Sequence, residues 1–442
     1  MTIISQVIFT VILGIFGFFI AKRVNFIRLN IALGRPQKVV GNKRQRWKNV
    51  LLIALGQKKM FKKPVPAVLH LLIYVGFVLI NIEVLEIILD GVLGSHRIFT
   101  SLLSDFYAPL ISFFEILAIG VIFSCVLFLL RRNVIQVARF QKPEMKGWAS
   151  LDGNLILVIE IILMGAILSM NATDQLLQGM GNAAYPLTGS FLVSSWLMPI
   201  FDGYLPSTLV IIERMAWWFH IVGIFGFALY VTYSKHLHIF MAFPNTYFSK
   251  LTPKGAMEPM PEITSEVKMM LGIPVEGETT PPLEGFKFGA RDVSDLSRKN
   301  LMDAYTCTEC GRCTAECPAN LTGKKLSPRK IMMDTRDRME EIGKSRSDAK
   351  VHDEKFLLGG FISKEEINAC TSCNACVEAC PVLINPLDII LQLRRYEAME
   401  ASGSPASWNA MFQNVETNAA PWKFSPQDRF NWSEELKNEN NF

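Results

Sequence analysis

The chain has nine cysteines, and eight of them fall into two runs, CTECGRCTAECP at 307–318 and CTSCNACVEACP at 370–381. Both have the spacing C-x2-C-x2-C-x3-C-P. Thiolates two residues apart converge on one face of a cuboidal iron–sulfur cluster, and this run is a bacterial signature for [4Fe–4S] ligation. Where two such runs occur, the fourth cysteine of each ligates the other run's cluster. The expected ligand sets are therefore Cys307, Cys310, Cys313 and Cys380 for one cluster, and Cys370, Cys373, Cys376 and Cys317 for the other. Pro318 and Pro381 follow the fourth cysteines and turn the chain away. Zinc needs a single tetrad and rarely uses this one. Disulfides would demand an oxidising compartment. The ninth cysteine, Cys125 in VIFSCVLFLL, reads as apolar filler.

A second set of candidates lies among the six histidines. His70 sits in VPAVLHLLIYVGF, and His220 and His238 sit in WWFHIVGIFGFALYVTYSKHLHIF. The last two are 18 residues apart. On one continuous helix that is five turns, so both would share a face, with a rise of roughly 27 Å, close to the bilayer's hydrocarbon thickness. His236 would point nearly opposite. Polar groups in lipid are expensive and are functional by default. Two stacked histidines suggest axial ligands for two b-type haems, with hydrogen-bonded structural histidines as the alternative. His70 can answer one of them. No second histidine lies on its helix, and the position on that face one haem further out is Asn81. Asn81, Glu83, Glu86, Glu115, Glu213 and Arg214 gather toward the outer end of the spans, with Glu213 seven residues before His220. Carboxylates there suit proton transfer at a quinone site, with Glu213 and Glu115 as the candidates. A plain Glu213–Arg214 interfacial anchor is the competing reading. Glu160 has no obvious partner.

The elements that must position these groups are largely apolar, since half the chain is hydrophobic. A span needs about 20 such residues, and five are read, at 4–20, 66–89, 107–130, 154–170 and 208–234, the last continuing as helix past the membrane edge. The first lacks a positive n-region and a small-residue cleavage site, so it reads as a span rather than a signal peptide. Residues 22–63 carry thirteen Lys and Arg and no acid, and the loop 131–153 is also basic, whereas 171–206 has no Lys or Arg. The positive-inside rule then puts the N-terminus outside and the cysteine runs in the cytoplasm. The net charge of +5 is absorbed by these loops and calls for no nucleic-acid partner.

The 52 residues between Cys317 and Cys370 include SPRKIMMDTRDRMEEI, which reads as helical, as does LDIILQLRRYEAMEAS after Pro386. The expected fold is all-α, a transmembrane bundle (1–245), a Pro- and Gly-rich linker (246–285), an α-helical dicluster domain (286–403) and a tail (404–442). Trp408, Trp422 and Trp432 in the tail would be wasted in solvent, so docking is expected there.

With these residues in view, 1–245 resembles the five-span cytochrome b (gamma) subunit of respiratory nitrate reductase and its relatives in membrane heterodisulfide reductases. His70 followed by YVGF, His220, and SKHLHIFMAFPN with His238 carry the likeness. The resemblance implies two stacked haems on the fifth span, with His70 pairing with His238. That family's outer second-span histidine falls near Ile80 here and is missing. Residues 286–400 resemble the α-helical dicluster ferredoxin component of heterodisulfide reductase. The tandem CCG motifs of the family's catalytic modules are absent from the sequence, as are a nucleotide-binding glycine loop and a hydrolytic triad.

The functional expectation is an inner-membrane electron-transfer subunit of a quinone-linked oxidoreductase complex. It would carry two [4Fe–4S] clusters and haem b and exchange electrons with a membrane quinone such as menaquinone. A separate soluble CCG-type iron–sulfur protein, fed by an electron-transfer flavoprotein, would complete it. A redox-sensing membrane anchor and a component of a redox-driven ion pump are the alternatives.

Overall fold

In lipid every backbone polar group must be satisfied within its own segment, so long apolar runs become helices. In the computed structural model, which describes residues 2–439 except 38, 40, 254, 275–286 and 347–353, five helices are long and apolar enough to cross a membrane. They are α1 (Ile3–Ile31), α2 (Pro64–Leu93), α3 (Tyr107–Asn133), α4 (Trp148–Gly179) and, after the short α5 (Ser194–Phe201), α6 (Pro206–Val231). Pro64 and Pro206 open α2 and α6 at the position where a missing N–H costs nothing. Gly94, at φ 76°, ends α2 in the left-handed conformation that suits glycine. The bundle packs around Phe9, Ile80, Phe114, Ile156, Trp217 and Ile221. Its outer surface keeps Val11, Phe18, Ile119 and Phe123 exposed, as apolar solvent allows. Cys125 is wholly buried in this core.

The helices outrun the apolar segments. At 1.5 Å per residue α1 is about 43 Å long against a hydrocarbon core of about 30 Å. Its last turns therefore leave the bundle and pack against the cysteine-bearing domain. There Arg23 grips Glu340 through both guanidinium nitrogens, at 2.7 and 3.1 Å, and Asn30 donates to Tyr305 at 2.8 Å.

One expectation fails. The fifth span does not run on as a helix to His238. It ends at Val231, Ser234 is extended (φ −105°, ψ 160°), and after a 3-10 turn a new helix, α7 (His238–Tyr247), begins. Asp152 at the start of α4 organises the break. It accepts hydrogen bonds from the Ser234 hydroxyl at 2.6 Å and the Lys235 amide at 3.2 Å, and a further one from the Tyr230 hydroxyl. These side-chain bonds replace the ladder that a continuous helix would have kept.

The C-terminal part is helical too, with no strand among the described residues. It comprises α8 (Arg298–Thr306), α9 (Pro328–Ser345) and α10 (Pro386–Met399), packed through Leu301, Ile331, Met339, Ile389 and Leu393. Ser297 and Asn300 form a reciprocal cap at the start of α8. Beyond it, α11 (Ala406–Asn418) leaves Trp408 and Phe412 exposed, and Trp422 and Trp432 are exposed as well. Most of the PVEGETTPPLEG stretch of the linker, and residues 440–442 of the tail, lie outside the described residues.

Candidate redox centres

Cys307 closes α8 and begins a loop held in shape by two left-handed residues, Glu309 (φ 54°) and Gly311 (φ 71°). The turn at Gly311 is crowded, since an added Cβ would collide with the Arg329 guanidinium. Cys307, Cys310 and Cys313 from this loop line one small cavity together with Cys380, 67 residues further on, and with no fourth cysteine of their own run. Cys317 lies instead near Cys370 and Cys376, where it and Cys373 add to the rise that burial gives both thiols. The chain thus crosses between the two runs.

Burial pushes the Cys307 and Cys376 thiols up to about 12 and Cys380 up to about 11, with neighbouring cysteines adding to the shift. A set of four thiolates here needs positive charge among them, and iron supplies it. Among the described residues no three His, Cys, Asp or Glu side chains close round a single ion. Thiolates set around a cuboidal cluster stand further apart than the ligands of one tetrahedral zinc. Backbone amides already point at sulfur, Ser372 N–H at Cys370 and Ile384 N–H at Cys380, over 3.4 and 3.3 Å. Each set has two buried cysteines, Cys307 and Cys380 in one and Cys317 and Cys376 in the other, and the sites differ in access at Cys373, which is exposed where Cys310 and Cys313 are half-buried.

The rings of His70 and His238 lie 6.3 Å apart, centre to centre. Two imidazoles on opposite sides of one metal ion, each nitrogen about 2.0 Å from the metal and ~1.1 Å from its own ring centre, would stand roughly 6 Å apart. His70 donates Nδ1–H to Gln57 Oε1 at 3.1 Å, and His238 donates Nδ1–H to the Lys235 carbonyl at 3.1 Å. Both tautomers are thereby set, with Nε2 left as the free lone pair, the arrangement that orients metal-binding histidines. His220 is fully buried, donates Nδ1–H to the Leu163 carbonyl at 2.9 Å, and has a buried Nε2 with no hydrogen-bond partner among the described residues.

Two other expectations are corrected. His236 does not point away, because the chain breaks before it; its ring is 5.3 Å from that of His238. Asn81 does not face His220 across the bundle. It is exposed and donates back to the Phe77 carbonyl, while Ile80 beside it is buried.

Lys235 links this pair to the first cysteine loop. Its carbonyl orients His238, and its ammonium binds Glu309 Oε2 at 2.7 Å, between Cys307 and Cys310. Glu309 binds Arg336 at 2.8 Å through its other oxygen. Burial would raise the Glu309 pKa, but Arg336 and Lys235 hold it below the usual carboxylate range. Arg329, fully buried, ties the same loop to the 138–145 segment through the Arg139 carbonyl at 2.7 Å and Glu144 at 2.8 Å. The basic loops between spans therefore also hold the cysteine-bearing domain, with Lys62 to Glu378 and Arg35 to Asp295 as further ties.

At the far end of the bundle the polar groups form a buried network. Arg97 binds Asp174 at 2.6 Å, Asn171 at 2.7 Å and Tyr107 at 3.1 Å. Glu115 accepts from Asn171 at 3.2 Å and from the Val193 and Ser194 amides at 2.8 and 3.1 Å, so it caps α5. Glu213 is paired with Arg214 and accepts from the Tyr185 hydroxyl at 3.0 Å. Gln57, Arg97, Tyr185, Lys235, Glu309 and Arg336 carry no motif, and sequence spacing did not single them out as site residues. The single signal was Arg97, the one cation in its loop.

Residues 306–384 match the 4Fe-4S dicluster domain family. The chain is 25% identical to "Probable iron-sulfur-binding oxidoreductase FadF" of Bacillus subtilis, over 95% of this chain and 59% of that protein. It is 27% identical to "EtfAB:quinone oxidoreductase" of Syntrophomonas wolfei, over 88% of this chain and 54% of that protein. Over 112 residues it is 33% identical to a ferredoxin/F420H2-dependent CoB–CoM heterodisulfide reductase component of Methanosarcina acetivorans, a match that covers 25% of this chain and 56% of that protein. The chain spans less than two thirds of the length of each of these relatives. No solved structure matches it. The chain is an iron–sulfur, oxidoreductase-like membrane protein with a 4Fe-4S dicluster domain, related to components of heterodisulfide reductases.

Proposed function

We propose that the chain is the electron-transfer subunit of a quinone-linked membrane oxidoreductase, carrying single electrons between a soluble redox partner and a membrane quinone. Cys370, Cys373, Cys376 and Cys317 hold the cluster nearer solvent. Cys307, Cys310, Cys313 and Cys380 hold the cluster at the membrane junction. His70 and His238 hold one haem b, which supplies a one-electron iron couple inside the bundle. His220 is the protein ligand offered to a second haem, and nothing on α2 answers it.

The observation that carries this reading is the His70–His238 pair at 6.3 Å, joined through Lys235 to the cysteine loop. A membrane anchor that only recruited partners would have no use for two imidazoles with free Nε2 atoms at the foot of a cluster loop. The exposed Cys373 supports electron entry or exit by a docked protein on that side. The exposed tryptophans of 404–442 supply apolar surface for that docking. The name of the Syntrophomonas relative supports an electron-transfer flavoprotein on the soluble side and a quinone, such as menaquinone, in the membrane. A CCG-type iron–sulfur protein is the soluble partner we assign between flavoprotein and clusters.

The basic loops lie on the cluster side of the bundle, which supports an inner-membrane chain with its N-terminus outside and its clusters in the cytoplasm. Quinone exchange is assigned to the opposite end, near His220, where Glu213 with Tyr185 offers a proton donor and acceptor. Glu115 acts there by holding the start of α5. The test is an absorption spectrum of the purified chain before and after menaquinol, with iron analysis. A reducible low-spin haem band and about eight non-haem irons per chain are expected. Stoichiometric zinc, or no haem at all, would overturn the reading.

A further inference from the structure

The junction between the two halves contains three charges that no redox ligand requires. Lys235 and Glu309 are 9% and 4% exposed and meet at 2.7 Å. Arg336, from α9, meets the other Glu309 oxygen at 2.8 Å. Glu309 is two residues from Cys307 and one from Cys310, and Lys235 is the residue whose carbonyl orients His238. Burying Lys235 and Glu309, with Arg336 partly buried beside them, is costly, and replacing such groups with apolar ones is often neutral or stabilising. Their position gives the cost a use. Charges in a low-dielectric site act strongly on a neighbouring charge change.

We propose that the Lys235–Glu309–Arg336 triad sets the redox balance at this junction, with the carboxylate disfavouring and the two cations favouring an electron on the cluster of Cys307, Cys310, Cys313 and Cys380. The proposal rests on the cluster and haem assignments above. The step it governs is the movement of one electron between that cluster and the haem iron. The iron that loses the electron is oxidised and the other reduced, no bond forms or breaks, and no proton moves at the triad. Asp152 stands 3.8 Å from Lys235 and Asp337 3.3 Å from Arg336, so the triad carries no net positive excess, and each of its three charges acts by its own sign and distance. The covalent and hydrogen-bonded route from Cys310 through Glu309 and Lys235 to His238 runs through two of the three residues.

The test is an EPR-monitored redox titration of the full chain in detergent, with haem followed by its absorption. Glu309→Gln keeps the shape and removes the negative charge, so the junction cluster should become easier to reduce. Lys235→Gln and Arg336→Gln should make it harder to reduce. Each shift should be at least tenfold in the reduced-to-oxidised ratio, which is about 59 mV for a one-electron couple. The cluster of Cys317, Cys370, Cys373 and Cys376 should hold its potential, and Lys235→Arg should restore the wild-type value. A merely structural role would loosen the junction in every variant and shift all of them the same way. Shifts of one sign, or none, with both clusters retained would overturn the proposal. If Lys235→Gln lost its cluster, Glu309→Gln alone would still decide by the direction of its shift. A wild-type chain without haem would refute the haem assignment, while the opposed cluster shifts would still decide the triad.

Discussion

The junction between bundle and cluster domain can be weakened at one point, Arg23. Its guanidinium reaches Glu340 at 2.7 and 3.1 Å and the Thr232 carbonyl at 3.3 Å, and it lies 4.2 Å from the Tyr233 ring centre. The side chains are 8% and 17% exposed, so this is a largely buried pair. Stripping one partner from such a pair costs about 3–5 kcal/mol, because the other charge is left behind. Glu340 is not wholly abandoned, since Tyr305 still donates to it at 2.7 Å and water can reach it. Arg23→Met, which keeps the apolar stem, should therefore cost nearer 2–3 kcal/mol, roughly a 30- to 150-fold change in the opening equilibrium. Native-state hydrogen exchange on peptides from 22–31 and 328–345 reads that equilibrium directly. Protection there should fall by about that factor, while peptides in the middle of α2 keep theirs. Adding Glu340→Gln should recover part of the loss, because no orphan carboxylate remains. A fall of under about threefold would mean that the ion pair does not hold the domains together, and no recovery in the double variant would refute the orphan-charge argument.

Cys380→Ser should remove the buried junction cluster and spare the exposed one, halving non-haem iron from about eight to about four atoms per chain; the reverse loss would contradict the crossing between runs. Cys317→Ser should do the opposite, removing the solvent-side cluster while haem reduction by quinol continues. His70→Ala and His238→Ala should each abolish one haem signal with the clusters intact, and haem content unchanged in both would end the assignment. Glu213→Gln should slow quinol-driven haem reduction several-fold without loss of haem, and an unchanged rate would place quinone exchange elsewhere. Gln57→Leu removes the acceptor that orients His70, so haem affinity should fall about 10- to 100-fold, measured by haem retention on dilution.

What the sequence determined by itself is local. Cysteine spacing encodes how three sulfurs can face one centre, and long apolar runs encode helices because lipid leaves the backbone no other partner. The all-α class, five apolar helices and the doubled cluster signature were legible for that reason. The way doubled runs interlock led to the expectation of Cys380 with the 307–313 loop; in the structure these four cysteines line one cavity, and Cys380→Ser is the test of whether they share a cluster. Helical arithmetic failed at 232–235, because it counts 100° per residue and cannot see Asp152, some 80 residues away, replacing the ladder with side-chain bonds. His236 was misplaced for the same reason, and Asn81 because lipid can take the face that arithmetic assigned to the core. The family resemblance implied that His70 pairs with His238; only the tertiary structure decided that their rings stand 6.3 Å apart, that Gln57 and Lys235 fix their tautomers, and that Glu309 meets Lys235 across the domain junction. Those contacts join segments far apart in the chain. Their energy comes from desolvated charge and imidazole geometry, which no periodicity in the sequence records.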